Sequence, residues 1–295
     1  MNFKIEEESE ETQKKKSKNT ERIMLIIIII ISLVCGLTVF LISNAIFGKK
    51  KPVEVVDTNV NISEETVQIL YSYVAHDSRN KNDDKFLMNK SVTQKDFTNK
   101  EKYNYALQFV QPSDLRYINE FTDNKEKIYV LDEKKVESFM KRFFGSQMTY
   151  ENEKNLTYAF DFSINGKNLG NLEYSSKDKG YRIYFPETED NSEEDMVEPY
   201  YTELYEAIRK VDGSMILKEK VIYTELKEID GRYEIDIYKD YQKTNLIEKK
   251  TNLSLDELKN TKIQMNKYKD TAGTISYVFK VENLRFYFYS STISN

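Results

Sequence analysis

The chain has 295 residues, of which 39% are hydrophobic and 32% are charged, and this composition is typical of a globular protein. Residues 1–52 hold nine of the 44 Lys and Arg residues and six of the 49 Asp and Glu residues, so residues 53–295 carry a net charge of −8. This acidic balance excludes a general attraction to phosphate backbones, and we expect no nucleic-acid partner.

A long apolar stretch follows the N-terminal segment. Residues 1–22 are polar and lack apolar periodicity, which predicts a disordered tail. Ile23 to Ser43 contains no charged residue, and as a helix it would extend about 31 Å, the thickness of a bilayer core. A soluble core helix would show a polar stripe, and a cleaved signal peptide has a shorter apolar run. The sequence therefore predicts an uncleaved transmembrane helix over residues 23–47.

The charges that flank this stretch predict its orientation. Five basic residues lie at positions 14–22 before it and three lysines at 49–51 after it, which favours a cytoplasmic N-terminus. Residues 48–60 are expected to form a juxtamembrane linker, since Pro52 prevents continuation of the helix. We expect a single-pass cell-membrane protein with a cytoplasmic tail and an extracytoplasmic C-terminal domain. The lipid bilayer is then one partner.

Apolar residues at helical spacing predict three helices next in the chain, over residues 63–74, 98–110 and 131–145. Ser63 is an N-cap candidate for the first helix. The second helix opens with a capping box at Thr98 and stops before Pro112, and the third ends at Gly145.

Further along, apolar and polar residues alternate as they do in strands. Asn165-Gly166 predicts a two-residue hairpin, and residues 180–185 supply a third strand. A long hairpin is predicted to turn at Asp230-Gly231, and a final one near Glu282-Asn283. Between the last two hairpins, Ser254 begins a short capped helical turn.

A fourth long helix is predicted between these strands, beginning at Pro199. Pro199 suits the first position of a helix, and Asp212-Gly213 would end it. The apolar residues that follow Pro199 have helical spacing: Tyr201, Leu204, Tyr205 and Ile208.

Helices followed by antiparallel hairpins thus occur twice, which predicts the α+β class. The expected fold has one N-terminal transmembrane helix followed by helices packed on antiparallel β-sheet, in a cystatin-like or NTF2-like arrangement. The helices and sheet would form one body or two helix-and-hairpin units, at residues 61–190 and 191–295.

Three segments carry a resemblance to a known group of proteins. These are the apolar span, "VESFMKRFFG" at 136–145 and "YVFKVENLRFYFYSS" at 277–291. Together they resemble the uncharacterised single-pass anchored ectodomains of low-GC Gram-positive bacteria. The resemblance implies a location and a fold, and it assigns a role to no residue.

Residues of the types that catalyse reactions are few or ungrouped. His76 is the only histidine and Cys35, inside the apolar span, is the only cysteine, which excludes an intrachain disulfide and cysteine-based zinc sites. His76-Asp77-Ser78 contains the residue types of a hydrolytic triad, but adjacent residues cannot form the relay. The acidic residues of 187–195 lack the spacing of a calcium loop, so a solvated loop is expected. The sequence therefore identifies no catalytic, cofactor-binding or metal-binding residue, and it predicts no cofactor.

An alternating aromatic run, Arg285 to Tyr289, lies near the C-terminus. On a strand, Phe286 and Phe288 would share one face and Tyr287 and Tyr289 the other. We expect the Phe side chains in the core and the Tyr side chains partly exposed. The alternative is a Tyr face that binds a partner or a carbohydrate.

Three functions remain compatible with the sequence, and we expect the first of them. The first is a non-enzymatic binding or interaction module that meets a cell-envelope or protein partner through its sheet faces or loops. The second is a cell-envelope hydrolase that uses two carboxylates, although no pair stands out. The third is a scaffold that recruits a membrane partner through residues 23–43 or the N-terminal tail.

Overall fold

The computed structural model describes residues 56–75, 85–121, 127–186 and 197–294, and strands dominate this part of the chain. Its thirteen strands are β1 (Thr58–Val60), β2 (Ser91–Thr93), β3 (Leu115–Phe121), β4 (Lys127–Asp132), β5 (Asn155–Ile164), β6 (Lys167–Ser175), β7 (Gly180–Tyr184), β8 (Tyr200–Arg209), β9 (Met215–Ile229), β10 (Arg232–Tyr238), β11 (Leu246–Leu253), β12 (Gly273–Glu282) and β13 (Arg285–Ser294). The same part contains five α-helices, which are α1 (Glu65–Val74), α2 (Lys85–Met88), α3 (Asn99–Leu107), α4 (Glu133–Phe144) and α5 (Leu255–Asn260).

The strands form two antiparallel sheets. The larger sheet has the order β1-β8-β9-β12-β13-β2, and β10 and β11 extend it beside the second half of β9. The long strand β9 pairs with β8 and β12 over its first half and with β10 over its second half. The smaller sheet has the order β3-β4-β7-β6-β5.

One hydrophobic core joins the helices α1 to α4 to both sheets. Phe143 of α4, Phe288 of β13 and Tyr181 of β7 all belong to it and are fully buried. The rings of Phe143 and Phe288 stack with their centroids 5.4 Å apart, so α4 packs directly on the larger sheet. A smaller core, which includes Ile222 and Leu258, lies beneath α5. Val56–Asn295 accordingly cluster as one compact unit.

The predicted fold class is wrong. Strands predominate over helices in the described residues, and they form two separate antiparallel sheets. The cystatin-like or NTF2-like arrangement, with helices laid across a single meander, is therefore not the architecture of this chain. Strands β3 and β4, which the sequence analysis did not predict, supply one side of the second sheet. The boundary predicted at residue 190 falls outside the described residues.

The helix predicted between Pro199 and Asp212 is also wrong, because Tyr200–Arg209 form strand β8. Leu204 pairs with Glu219 and Glu206 pairs with Lys218, so Tyr205 is an extra residue in a β-bulge. A bulge shifts the alternation by one position, and Leu204 and Ala207 are therefore both buried. Of the four residues that predicted the helix only Leu204 is buried, whereas Tyr205 is exposed at the bulge and Tyr201 packs against the smaller core. Their helical spacing therefore combines residues from different faces of a strand.

The predicted hairpins and the other helices are confirmed, except that the N-cap of α1 is Glu64 and not Ser63. Asn165-Gly166 and Asp230-Gly231 form two-residue turns in which both residues have positive φ. The capping boxes at Thr98 and Ser254 are both present. Each pairs a side-chain oxygen with an otherwise unsatisfied helical N–H, and this explains where α3 and α5 begin.

The predicted single-pass membrane topology is not supported. Across residues 56–75, 85–121, 127–186 and 197–294, no helix combines the length and the apolar character needed to cross a bilayer. The transmembrane prediction for residues 23–47, the tail at 1–22 and most of the linker at 48–60 lie outside these ranges. The cell-membrane location that was inferred from this topology is likewise not supported.

Candidate functional site

A groove with a volume of about 930 Å³ lies where three segments meet. Helix α1 forms one wall, and helix α4 with the residues that follow it forms the second. The turn that joins β12 to β13 forms the third. The apolar lining of the groove includes Ile69, Phe139 and Phe286, and the exposed fraction of Ile69 is 42%. A groove of this size, partly apolar and open to solvent, can hold a ligand larger than a single ion.

The groove is positively charged although the chain is acidic. Four cationic side chains line it against two carboxylates, Glu137 and Glu282; the four are Lys134, Lys141, Arg142 and Arg285. Lys141 Nζ lies 2.6 Å from Glu137 Oε1, so this pair neutralises itself. Lys134 and Arg285 form no ion pair with any described residue, which leaves their charges to the groove.

Arg142 is held in place by aromatic side chains. Its Nε donates a hydrogen bond to the hydroxyl of Tyr73 at 2.8 Å. Its guanidinium lies 4.4 Å from the ring centroid of Phe109 and 5.3 Å from that of Tyr73. Such stacking fixes a guanidinium without neutralising its charge, so Arg142 presents an oriented cation to the groove.

Both carboxylates of the groove are committed to partners. Glu282 accepts hydrogen bonds from the backbone N–H of Ser146 at 2.8 Å and from its hydroxyl at 2.6 Å. The Ser146 hydroxyl and N–H hold the pKa of Glu282 below its ordinary value. The hydrogen bond from Lys141 and its charge likewise lower the pKa of Glu137. Both groups are therefore ionised near neutral pH.

A buried carboxylate fixes the α1 wall to the larger sheet. Glu219 lies in β9 on the face that also carries Leu217 and Val221, and it is fully buried. It accepts hydrogen bonds from the hydroxyl of Tyr71 in α1 at 2.7 Å and from that of Tyr277 in β12 at 2.5 Å. Burial, together with the nearby charge of Glu219, raises the pKa of Tyr71, which keeps this hydroxyl protonated as a donor.

The other two walls are joined by polar contacts as well. The side-chain amide of Gln94 donates to the carbonyl oxygen of Phe144, at the end of α4, and to that of Phe288 in β13. The Glu282–Ser146 contact described above links the β12–β13 turn to the same end of α4. These contacts set the width of the groove between α4 and the turn.

The residues singled out in the sequence are not brought together here. His76, Cys35 and the acidic run 187–195 lie outside the described residues. In the aromatic run, Phe288 is fully buried and Tyr289 is 43% exposed, as predicted. Phe286 is only partly buried, because it lines the groove.

Sequence analysis missed Glu219 and the groove cations. A signal for Glu219 was present, since residues 215, 217, 219 and 221 of one strand face read Met, Leu, Glu and Val. A carboxylate in an otherwise apolar row indicates a specific buried partner. No comparable signal existed for the groove, because its three walls lie far apart in the sequence.

Comparison with protein-family models, with curated proteins and with solved structures finds no match for the chain. The function is therefore argued from the geometry and charge of the groove.

Proposed function

We propose that the chain is a non-enzymatic binding module whose groove takes an anionic ligand with an apolar part. The observation that carries this proposal is the reversal of charge, from an acidic chain to a concave surface with an excess of cations. Cations in a concave site attract a ligand of opposite charge and set its orientation. The apolar lining then supplies the contact area that gives affinity.

A carboxylate-based hydrolase is the alternative from the sequence, and the groove does not favour it. Glycoside hydrolysis needs one carboxyl group whose pKa is raised, so that it can donate a proton near neutral pH. Glu137 and Glu282 both have lowered pKa values because each accepts hydrogen bonds from a fixed donor. Neither is suited to act as a general acid.

The test removes two groove charges that form no ion pair with any described residue. In the variant Lys134→Gln/Arg285→Gln, no ion pair of the described residues is broken. The matched control is Lys259→Gln/Lys262→Gln, which removes the same charge from exposed positions that do not line the groove. Binding of a fluorescent peptide in which Glu and Leu residues alternate is measured by anisotropy at low and at physiological salt.

We expect the groove variant to bind about tenfold more weakly than the unmodified chain, since two partly exposed charge contacts together contribute about 1–2 kcal/mol. The control variant should keep its affinity. Equal losses in both variants would show that attraction is not localised in the groove. No saturable binding at low salt would overturn the proposal.

A further inference from the structure

The β12–β13 turn has a backbone conformation that its sequence does not favour. Its two central residues, Asn283 and Leu284, have φ values of 50° and 63°, and Glu282 pairs with Arg285 across the turn. Two positive φ values are the property of a type I′ turn, in which Gly is preferred at the second central position. A Leu side chain is strained in this conformation because its Cβ approaches the following carbonyl oxygen.

The same chain uses glycine at the equivalent position elsewhere. Within the described ranges, two other turns of this kind place Gly166 and Gly231 there, with φ values of 79° and 72°. The sequence therefore meets the usual requirement of this turn twice and departs from it once. The departure occurs at the turn that forms a wall of the groove.

Burial of the Leu284 side chain does not offset this backbone strain. The side chain is 97% exposed, the largest exposed fraction among the large apolar side chains of the described residues. Its neighbours on both sides, Asn283 and Arg285, line the groove. Strained backbone is retained chiefly at functional positions such as ligand clamps, so a strained, exposed leucine at the rim of a cationic groove fits a residue that contacts a bound partner.

We infer that the groove receives an acidic peptide segment of a partner protein, and that Leu284 packs against an apolar side chain of that segment. This inference rests on the proposed binding function and names the class of its ligand. Charge complementarity with Lys134, Arg142 and Arg285 requires the acidic residues. The apolar lining and Leu284 require at least one apolar residue beside them.

A peptide fits these features better than a lipid surface does. Leu284 is the only apolar residue among the four that form the turn, Glu282 to Arg285. A membrane-inserting loop would present several apolar side chains on a convex tip. Here, by contrast, one apolar side chain stands beside a concave, aromatic-lined surface.

The experiment begins with a random peptide library displayed on phage, selected on the full chain. The enriched peptides are expected to combine Asp or Glu residues with apolar ones. The affinity of one synthetic enriched peptide is then measured for the unmodified chain and for Leu284→Gly, Leu284→Asn and Lys134→Gln/Arg285→Gln. Leu246→Asn is the matched control, since Leu246 is 53% exposed and does not line the groove.

Leu284→Gly is expected to change two properties in opposite directions. The peptide should bind about tenfold more weakly, because one apolar contact is lost. The thermal midpoint Tm should rise by about 2–4 °C, because Gly relieves the backbone strain. Leu284→Asn should also weaken binding, since Asn tolerates positive φ but supplies no apolar surface. The control should keep the affinity of the unmodified chain.

The outcomes separate the inference from the function on which it rests. If the groove charge variant loses affinity but both Leu284 variants keep it, the inference is overturned and the binding function stands. If the enriched peptides lack acidic residues, or if neither a peptide nor vesicles of anionic phospholipid bind the chain, both are overturned. Binding to vesicles of anionic phospholipid without peptide enrichment would overturn the inference in favour of a lipid ligand.

Discussion

Tyr71 and Tyr277 donate hydrogen bonds to the same carboxylate from two different elements, and replacing each by Phe tests what that carboxylate does. Tyr71→Phe removes a bond between α1 and the larger sheet, whereas Tyr277→Phe removes one within the sheet. The chemical change is the same in both variants, since one phenolic hydroxyl is deleted and the ring is kept. Any difference between them therefore reports the position of the hydroxyl.

The expected cost follows from the acceptor and from burial. A hydrogen bond to a charged group contributes about 1.5–3 kcal/mol to the free energy of unfolding. Tyr277 is fully buried, as is Glu219, so water cannot replace the lost donor. We expect Tyr277→Phe to cost about 2–3 kcal/mol. Tyr71 is partly exposed, and its replacement should cost about 1.5–2 kcal/mol.

Urea unfolding of the full chain measures these free energies, and hydrogen exchange measures the α1 amides separately. Tyr71→Phe should increase exchange in residues 65–74 beyond the increase expected from its loss of global stability, because α1 is released locally. Tyr277→Phe should not. A cost below about 0.5 kcal/mol for both variants, or equal exchange of α1 in both, would refute the role assigned to Glu219.

Two further predictions concern the packing and the pH dependence of the chain. In Gly170→Ala the new Cβ would lie 2.7 Å from Phe160 and 3.0 Å from Ile183, both buried, so unfolding should become easier by about 1–3 kcal/mol in urea titrations. An unchanged midpoint of urea unfolding would show that Phe160 and Ile183 can move away from the new Cβ. The N–H and hydroxyl of Ser254 hold the pKa of Glu257 below its ordinary value of 4.5, so its stabilising effect is present above that pH and is lost as pH falls through the lowered value. Glu257→Gln should therefore lower Tm at neutral pH and not in strong acid, and a difference that persists in acid would contradict this origin.

Local structure was predictable from the sequence wherever a short segment determines it. Such features include the Asn165-Gly166 turn, the Asp230-Gly231 turn and the two capping boxes, each of which depends on residues within four positions of one another. These predictions are confirmed. Helix α4 was predictable for the same reason, since its apolar stripe and Gly145 lie in one segment. Such features are set by backbone geometry and need no knowledge of the fold.

The fold class was not predictable in the same way, because it depends on which strands pair. In strand β8 the bulge at Tyr205 interrupts the alternation that would have identified a strand. A second bulge in β13, at Tyr289, puts Phe288 and Ser291 three positions apart on the buried face. A bulge is defined by the partner strand, so sequence periodicity alone cannot distinguish it from a helix.

The groove shows the same dependence on tertiary structure, and its construction bears on how it would bind. Each wall is tied to the rest of the unit by a specific polar contact: α1 through Glu219, the end of α4 through Gln94, and the β12–β13 turn through Glu282. Walls fixed in this way need little ordering when a ligand arrives, which reduces the entropic cost of binding. A groove held open by contacts that are separate from its free cations can therefore lose Lys134 and Arg285 without losing its shape. This separation is why the charge variants can report on binding while the tyrosine variants report on the scaffold.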